Sequence, residues 1–381
     1  MSADRVAELS ALFEGRRTDL VALLEQLVSR ESPSDDPARV GELSRWISGR
    51  LVAAGIPAEC VPCEGRGDAL LARAETAGGT LLLGHLDTVW PAGTLAERPF
   101  RVEGGVATGP GVFDMKGGLA VVLAVLEAAG RGEVRPAGPV SLFLTPDEEV
   151  GTTASRERLV AEAKRHARVL VLEPAGDGGA AKIARKGIGQ TTVRFRGVAS
   201  HAGLEPEKGA SALGELARFV LFAEALADRA LGTSVVPTLA KAGSRANVVP
   251  ESAELTIDFR VWSAAEGERV ASAIGSYRSF DARVSVEVEG GLNRPPMEAT
   301  RISMEMFGLA SAIAARLGFP LPSARVGGAS DGNLTAGAGV PTLDGLGPSG
   351  GGAHARTEHL LVDDLPRRCA LLAALLEEVP A

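Results

Sequence analysis

The chain has 381 residues, 45% hydrophobic and 23% charged, a composition that suits a soluble globular protein of about two domains. A formal charge of −8 argues against an extended nucleic-acid footprint, which needs a basic excess, and no apolar stretch reaches the length of a membrane span. The start Met1-Ser2-Ala3-Asp4-Arg5 lacks a basic segment followed by an apolar run, so a cytoplasmic location is expected, removal of an export signal being left open. Cys60 and Cys63 form a C-x-x-C, but with only the distant Cys369 they complete neither a disulfide framework nor a structural zinc site, and they read as reduced thiols.

Apolar residues at helical spacing run from about Val6 to Leu27 and from Val40 to Ala54, where Gly55 is placed to end the helix. Thr80-Leu81-Leu82-Leu83-Gly84 reads as a buried strand, followed after a Pro- and Gly-rich loop by a helix from about Gly117 to Ala129. Val140–Leu144 and Val169–Leu172 are two more buried strands. Continuous apolar strands separated by helices predict a sheet covered on both faces. From about Gly189 the texture changes. Val193 and Phe195, then Leu255, Ile257, Phe259 and Val261, then Val284, Val286 and Val288 alternate with polar neighbours, as in an antiparallel sheet with one wet face. A helix is expected over about Ser211–Ala227, and helical patterns resume at Ile302–Leu317 and Leu365–Val379. The organisation predicted is an α/β domain, residues 1–188 and 295–381, interrupted by a smaller α+β insertion over 189–294.

Three acidic or histidine-bearing motifs follow the predicted strands, where ligands collect in open α/β sheets. His85-Leu86-Asp87 follows the first. Residues two apart in an extended segment share a face, so the Asp87 carboxylate can reach the His85 imidazole, fix its tautomer and raise its basicity. Thr145-Pro146-Asp147-Glu148-Glu149 follows the second strand and Glu173 the third, with Asp114 between them in a glycine-flanked loop. Gathered at one edge, these carboxylates repel unless a cation neutralises them. With His354 as a second imidazole, two histidines, two terminal carboxylates and one shared aspartate would satisfy two metals about 3.5–4 Å apart. Mixed nitrogen and oxygen ligation suits zinc, with cobalt or manganese as substitutes.

His85-x-Asp87, Gly109-Pro110-Gly111 through Asp114-x-Lys116-Gly117-Gly118, Asp147-Glu148-Glu149-x-Gly151, Glu173-Pro174, Ser200-His201-Ala202-Gly203 and Gly328-Ala329-Ser330-Asp331-Gly332-Asn333 occur in that order. In these motifs the chain resembles the zinc aminoacylase and carboxypeptidase family, which includes acetylornithine deacetylase, succinyl-diaminopimelate desuccinylase and the folate-cleaving bacterial glutamate carboxypeptidases. The resemblance covers nearly the whole chain. It implies a three-layer α/β/α catalytic domain of the zinc-peptidase type with a ferredoxin-like lid and dimerisation domain. Two Zn2+ per subunit are implied, with Asp114 bridging, His85 and Glu173 completing one site, and Glu149 and His354 the other. Glu148 is implied as general base and Asp87 as support for His85.

His201, assisted by Asn247, is implied to stabilise the oxyanion in a neighbouring subunit's site, and hence a homodimer formed through the insertion. Arg260 corresponds to a family arginine that grips substrate carboxylate, a task that suits a planar guanidinium. Lys182 and Arg294 fall where glutamate carboxypeptidases are similar and favour a second carboxylate, and the Ser155-Arg156 pair leans the same way. The expected substrate is a small N-acyl amino acid or short peptide losing a C-terminal Glu or Asp, with N-acyl amino acid deacetylation as the alternative. Two departures stand out. Ala355 follows His354 where Ser or Thr is usual, although Glu358 keeps its place, and the glycine-rich loop at Ser349–Gly352 leaves His354 expected to be mobile. His166 and His359 are expected to be solvated.

Two rivals remain open. Gly328-Ala329-Ser330-Asp331-Gly332 fits G-x-S-x-G, with Asp344 and His354 following in the order of a serine-hydrolase triad. That reading needs an apolar strand before Ser330 and a long helix after it, whereas Ser323–Gly327 is a poor buried strand and Gly337 and Gly339 interrupt the helix. The other rival is a non-catalytic binding protein of the same fold, which should have lost the base or a ligand.

Overall fold

The computed structural model describes residues 2–378 and divides into two compact units. One comprises the chain up to Ile183, Ala299–Val326 and the segment from Ser330 onward; the other comprises Ala184–Glu298 with Gly327–Ala329.

The first unit is built on a six-stranded sheet in the order Glu59–Val61, Ala69–Ala72, Val140–Thr145, Thr80–His85, Arg168–Val171, Thr342–Leu343. The last four strands are mutually parallel, and the first two are added antiparallel. Side chains alternate between faces along a strand. Leu82, Leu142, Leu144 and Leu170 accordingly join the core made with the helices Arg17–Val28, Pro37–Ala53, Gly117–Gly130, Arg301–Arg316 and Asp364–Glu378. Leu81, Leu83, Phe143, Val169 and Val171 face the other way, onto Leu159 and Ala163 of the helix Arg156–Ala163 and Leu334 of the helix Asp331–Gly337. Both faces are therefore covered, which is why these strands read as unbroken apolar runs.

The expected first helix is two helices, Ala3–Glu14 and Arg17–Val28. They part at Gly15-Arg16, where Arg16 leaves the helical conformation and pairs with Glu133. Gly55 takes a left-handed φ of 79° just beyond Ala54, which ends the helix Pro37–Ala53. The last helix is seen as Asp364–Glu378; Val379 of the expected span lies outside the described residues. Gly350 and Gly351 are not a loose loop. They form a short strand against His359 and Leu360, edging a four-stranded antiparallel sheet with Val106–Thr108 and Arg101–Glu103. No helix among the described residues is long and apolar enough to cross a membrane.

The second unit has the order strand Gly187–Arg196, helix Ala212–Glu224, strands Ser234–Ala242 and Ser252–Val261, helix Ala264–Gly275, strand Ser285–Arg294. With its strands numbered 1 to 4 along the chain, the antiparallel sheet runs 2-3-1-4, the ferredoxin-like arrangement. Val193, Phe195, Leu255, Ile257, Phe259 and Val261 meet Leu216, Phe219, Val270 and Ile274 of the two helices on one face. Their alternate neighbours, such as Arg194 and Glu254, pair on the other face.

One contact controls how the helix Gly117–Gly130 sits behind the strand ends. A Cβ at Gly118 would lie 1.9 Å from the Leu172 carbonyl oxygen and 2.9 Å from Met115 Cε. Backbone cannot yield there as a flexible side chain would. Gly118→Ala is expected to cost about 1–3 kcal/mol or more, read as a lower urea midpoint; an unchanged midpoint would show that helix and strand can separate freely.

Candidate metal centre

The parallel strands deliver the chemistry at their C-terminal ends, as this sheet type requires. His85 closes the strand Thr80–His85, Glu148 and Glu149 follow Val140–Thr145, and Glu173 follows Arg168–Val171. Asp114 comes from the turn before the helix Gly117–Gly130, and His354 from the connection between Gly350–Gly351 and His359–Leu361.

The Asp114 carboxylate stands between the two imidazoles. Its Oδ1 is 3.3 Å from His85 Nε2 and its Oδ2 is 3.3 Å from His354 Nε2. On the first side, His85 Nε2 is also 3.5 Å from Glu173 Oε1; on the second, His354 Nε2 is 3.0 Å from Glu149 Oε2. Glu148 lies against the first group, with ligand atoms of His85, Glu148 and Glu173 all within 4.8 Å of one another. The same holds for His85, Asp114 and Glu149. Burial is uneven: the His85 side chain is 1% exposed and that of His354 is 53%. His354 also holds a left-handed φ of 62°, a conformation that costs a non-glycine residue about 1–2 kcal/mol.

The charge pattern calls for cations. Burial works to lower the His85 pKa, yet hydrogen bonds to Asp114 and Asp87 outweigh it and hold His85 well above its ordinary value. Hydrogen bonds to Asp114 and Glu149 push His354 up to about 10. Burial works to raise Asp114, but its bonds to His354 and His85 hold it well below the usual carboxylate range. Burial dominates at Glu149 and raises it. Imidazoles and carboxylates are thus packed closely enough to shift one another strongly, a set whose charge metal ions could balance. Glu149 Oε1 is buried with no hydrogen-bond partner, and a buried acceptor left so is costly. An orphaned carboxylate oxygen in a cluster of imidazole nitrogens and carboxylates fits divalent cations of the zinc type.

The supporting contacts refine the sequence-based expectation for Asp87. His85 Nδ1 donates to the backbone carbonyl of Asp87 at 2.9 Å, while the carboxylate is 3.5 Å away. That carboxylate accepts from the backbone N–H groups of Glu148 (3.1 Å) and Glu149 (3.2 Å) and from Ser34 Oγ (2.7 Å). Asp87 therefore holds the two glutamates through its carboxylate and the histidine through its backbone carbonyl. Asp147 accepts from Ala154 N and from Ser155 Oγ, so Ser155 has a structural task in this loop. Glu358 accepts from Gly111, Phe113 and Asp114 backbone N–H groups and from the Trp90 indole. Lys116, fully buried, donates to the Arg30 carbonyl at 2.7 Å. Ser34 and the contacts of Glu358 were not foreseen, because each joins segments far apart in sequence.

The remaining expected residues divide between the units. Lys182, in the first, is buried on the strand Ala181–Arg185, its backbone bridged to Asp344. In the second, His201 is exposed and its Nδ1 accepts from Gly203 N and Leu204 N, both at 3.1 Å. The carbonyl of exposed Asn247 accepts from Ala202 N at 2.9 Å, which ties the two turns together. Arg260 lies on Ser252–Val261 and pairs with Asp258 at 2.8 Å. Arg294 ends Ser285–Arg294 and is buried.

Two expectations about other side chains resolve clearly. His166 is not solvated: it is buried between the Glu162 carbonyl (2.9 Å) and Ser141 Oγ (2.8 Å). Ser330 is fully buried at the N-cap of a helix that ends at Gly337, and its hydroxyl donates to Asp344 Oδ2 at 2.6 Å. His354, the third member of the rival triad, is engaged with Asp114 and Glu149 instead.

Comparison with known proteins gives the family and the fold. Residues 81–378 match the model of peptidase family M20/M25/M40. Carboxypeptidase G2 of Pseudomonas sp. (strain RS-16) is 32% identical over 376 residues, covering 95% of this chain and 89% of that protein. Succinyl-diaminopimelate desuccinylase of Methylococcus capsulatus is 27% identical over 94% of this chain and 98% of its own. Among solved structures, aminopeptidase PepT of Bacillus cereus shares the fold with a TM-score of 0.77 at 20% identity, covering 95% of this chain and 98% of that one. The M20 family metallo-carboxypeptidase Sso-CP2 of Sulfolobus solfataricus does so with a TM-score of 0.68 at 14% identity, over 94% and 98%. The chain is a hydrolase that belongs to peptidase family M20/M25/M40.

Proposed function

We propose that the protein is a dinuclear metal-dependent amide hydrolase that releases a C-terminal Glu or Asp from N-acyl or peptidyl substrates. The observation that carries this reading is the Asp114 carboxylate straddled by two imidazoles, with Glu149 and Glu173 flanking them. Two cations, zinc or in substitution cobalt or manganese, held by His85, Asp114 and Glu173 and by His354, Asp114 and Glu149, would polarise the scissile carbonyl and acidify water. Glu148, set beside His85 and Glu173, takes the proton from the attacking water at its carboxylate and returns it to the leaving amine nitrogen. Asp87 orients this set through the backbone of Glu148 and Glu149. His201 and Asn247 are assigned to oxyanion stabilisation within a homodimer formed through the inserted unit, the lid of the enzyme.

Arg260, Lys182 and Arg294 are assigned to substrate carboxylates, since each offers the cationic donors such groups need. Similarity to carboxypeptidase G2 over 95% of the chain supports the carboxypeptidase branch. The second reading, N-acyl amino acid deacylation, is supported by similarity to succinyl-diaminopimelate desuccinylases.

Chelation tests the reading. Removal of metal with 1,10-phenanthroline is expected to abolish hydrolysis of N-acylglutamates, and added zinc to restore it. Full activity after chelation, or covalent labelling of Ser330 by a fluorophosphonate, would overturn the assignment. In a panel of N-acyl amino acids and dipeptides, preference for N-acetylornithine would favour the deacylase branch.

A further inference from the structure

Glu358 stands four positions after His354, and its side chain is buried. Its two oxygens accept four hydrogen bonds: Oε1 from Phe113 N at 3.0 Å and Asp114 N at 3.1 Å, Oε2 from Gly111 N at 3.0 Å and Trp90 Nε1 at 2.6 Å. An ionised carboxylate offers about four lone-pair sites, so this one is fully used. Two successive turns tie it to His354: Ala355 N donates to the Gly352 carbonyl and Glu358 N to the Ala355 carbonyl, both at 2.9 Å. One side chain thereby joins the Asp114 loop, the segment after Asp87 and the loop that carries His354.

We propose that Glu358 is a positioning residue that sets Asp114 against His354 and so determines the affinity for the second cation, the one assigned to Asp114, Glu149 and His354. The inference rests on the dinuclear reading above. Its physical basis is that one carboxylate accepts from all four of these N–H donors. A glutamine at 358, whichever way its amide is turned, points N–H donors at the N–H donors of one pair. The Asp114 loop or the Gly111–Trp90 side must then move, while His85 and Glu173, unlike the shared Asp114, stay on their strand ends. Outer contacts of this kind typically govern cation affinity by about 10–100-fold.

The test titrates metal-free protein with Co2+, following visible absorption and heat, for the wild type, Glu358→Gln, Trp90→Phe and the double variant. Two binding steps are expected in the wild type. Glu358→Gln is expected to weaken the second by about 10–100-fold and the first, which shares Asp114 but not His354, by less. Trp90→Phe removes one of four donors and is expected to weaken the second step less. In the double variant the amide no longer opposes the indole N–H, so its loss is expected to be smaller than the product of the single losses. A general loss of stability would weaken both steps to the same degree and would show no such rescue. A natively folded Glu358→Gln variant with both steps unchanged overturns the proposal. If Glu358→Gln does not fold, an unchanged second step in Trp90→Phe overturns it. A single step in the wild type overturns the dinuclear reading itself, whereas two wild-type steps with unaltered variants sink the positioning role alone.

Discussion

Glu148→Gln is expected to lower kcat by about 10²–10⁴-fold, the range a general base contributes, while two cations stay bound and KM hardly changes. The amide keeps the size of the carboxylate and removes its ability to take a proton. The backbone N–H of Glu148 still donates to Asp87, so the loop should hold its place. The experiment also separates two roles that the geometry allows. Ligand atoms of Glu148, His85 and Glu173 lie within 4.8 Å of one another, so Glu148 could share a cation with them or serve as the base. If it acted as a ligand, the variant would lose metal along with turnover. Metal content by elemental analysis, measured with kcat on the same preparation, decides between them. Full activity in the variant would remove the proposed mechanism altogether.

Asp114→Asn should be the more severe change for metal content. The carboxylate presents one oxygen to each imidazole at 3.3 Å. The amide can offer an oxygen to one side only and turns two N–H donors toward the other. Cation stoichiometry is expected to fall below two, and kcat/KM by at least about a hundredfold, since even outer contacts cost up to that much. Two cations retained at wild-type affinity would show that Asp114 does not bridge. This variant and Glu148→Gln therefore fail in different observables, one in stoichiometry and the other in turnover at full occupancy.

Much of the fold was legible because burial on both faces leaves an unmistakable apolar run, as at Leu81–Leu83 and Val169–Leu172. The ferredoxin-like sheet was legible where one face is wet, as at Leu255–Val261. The strand Ser234–Ala242 escaped because it is an edge, with a register shift between Pro237 and Leu239 and little to bury. Short strands such as Ala69–Ala72 carry too few residues to display a period. The metal-type side chains were legible from strand ends and motif order. Their supports were not, because Ser34 reaches Asp87 across 53 positions and Glu358 reaches Gly111 across 247. His166 misled for the same reason: nothing near it in sequence announces Ser141, 25 positions away.

The unequal shelter of the two imidazoles has a kinetic consequence. A cation leaves a site by exchanging protein ligands for water one at a time, and the ligand that water reaches first sets the pace. His85 is sealed beneath its strand, whereas half of His354 faces solvent on a loop bent into a left-handed turn. In the proposed dinuclear centre the two halves should therefore release their ions on separate timescales, the His354 half first. A brief exposure to chelator would strip one ion and leave the other, giving a half-loaded protein in which a different metal can be placed beside the one that remains.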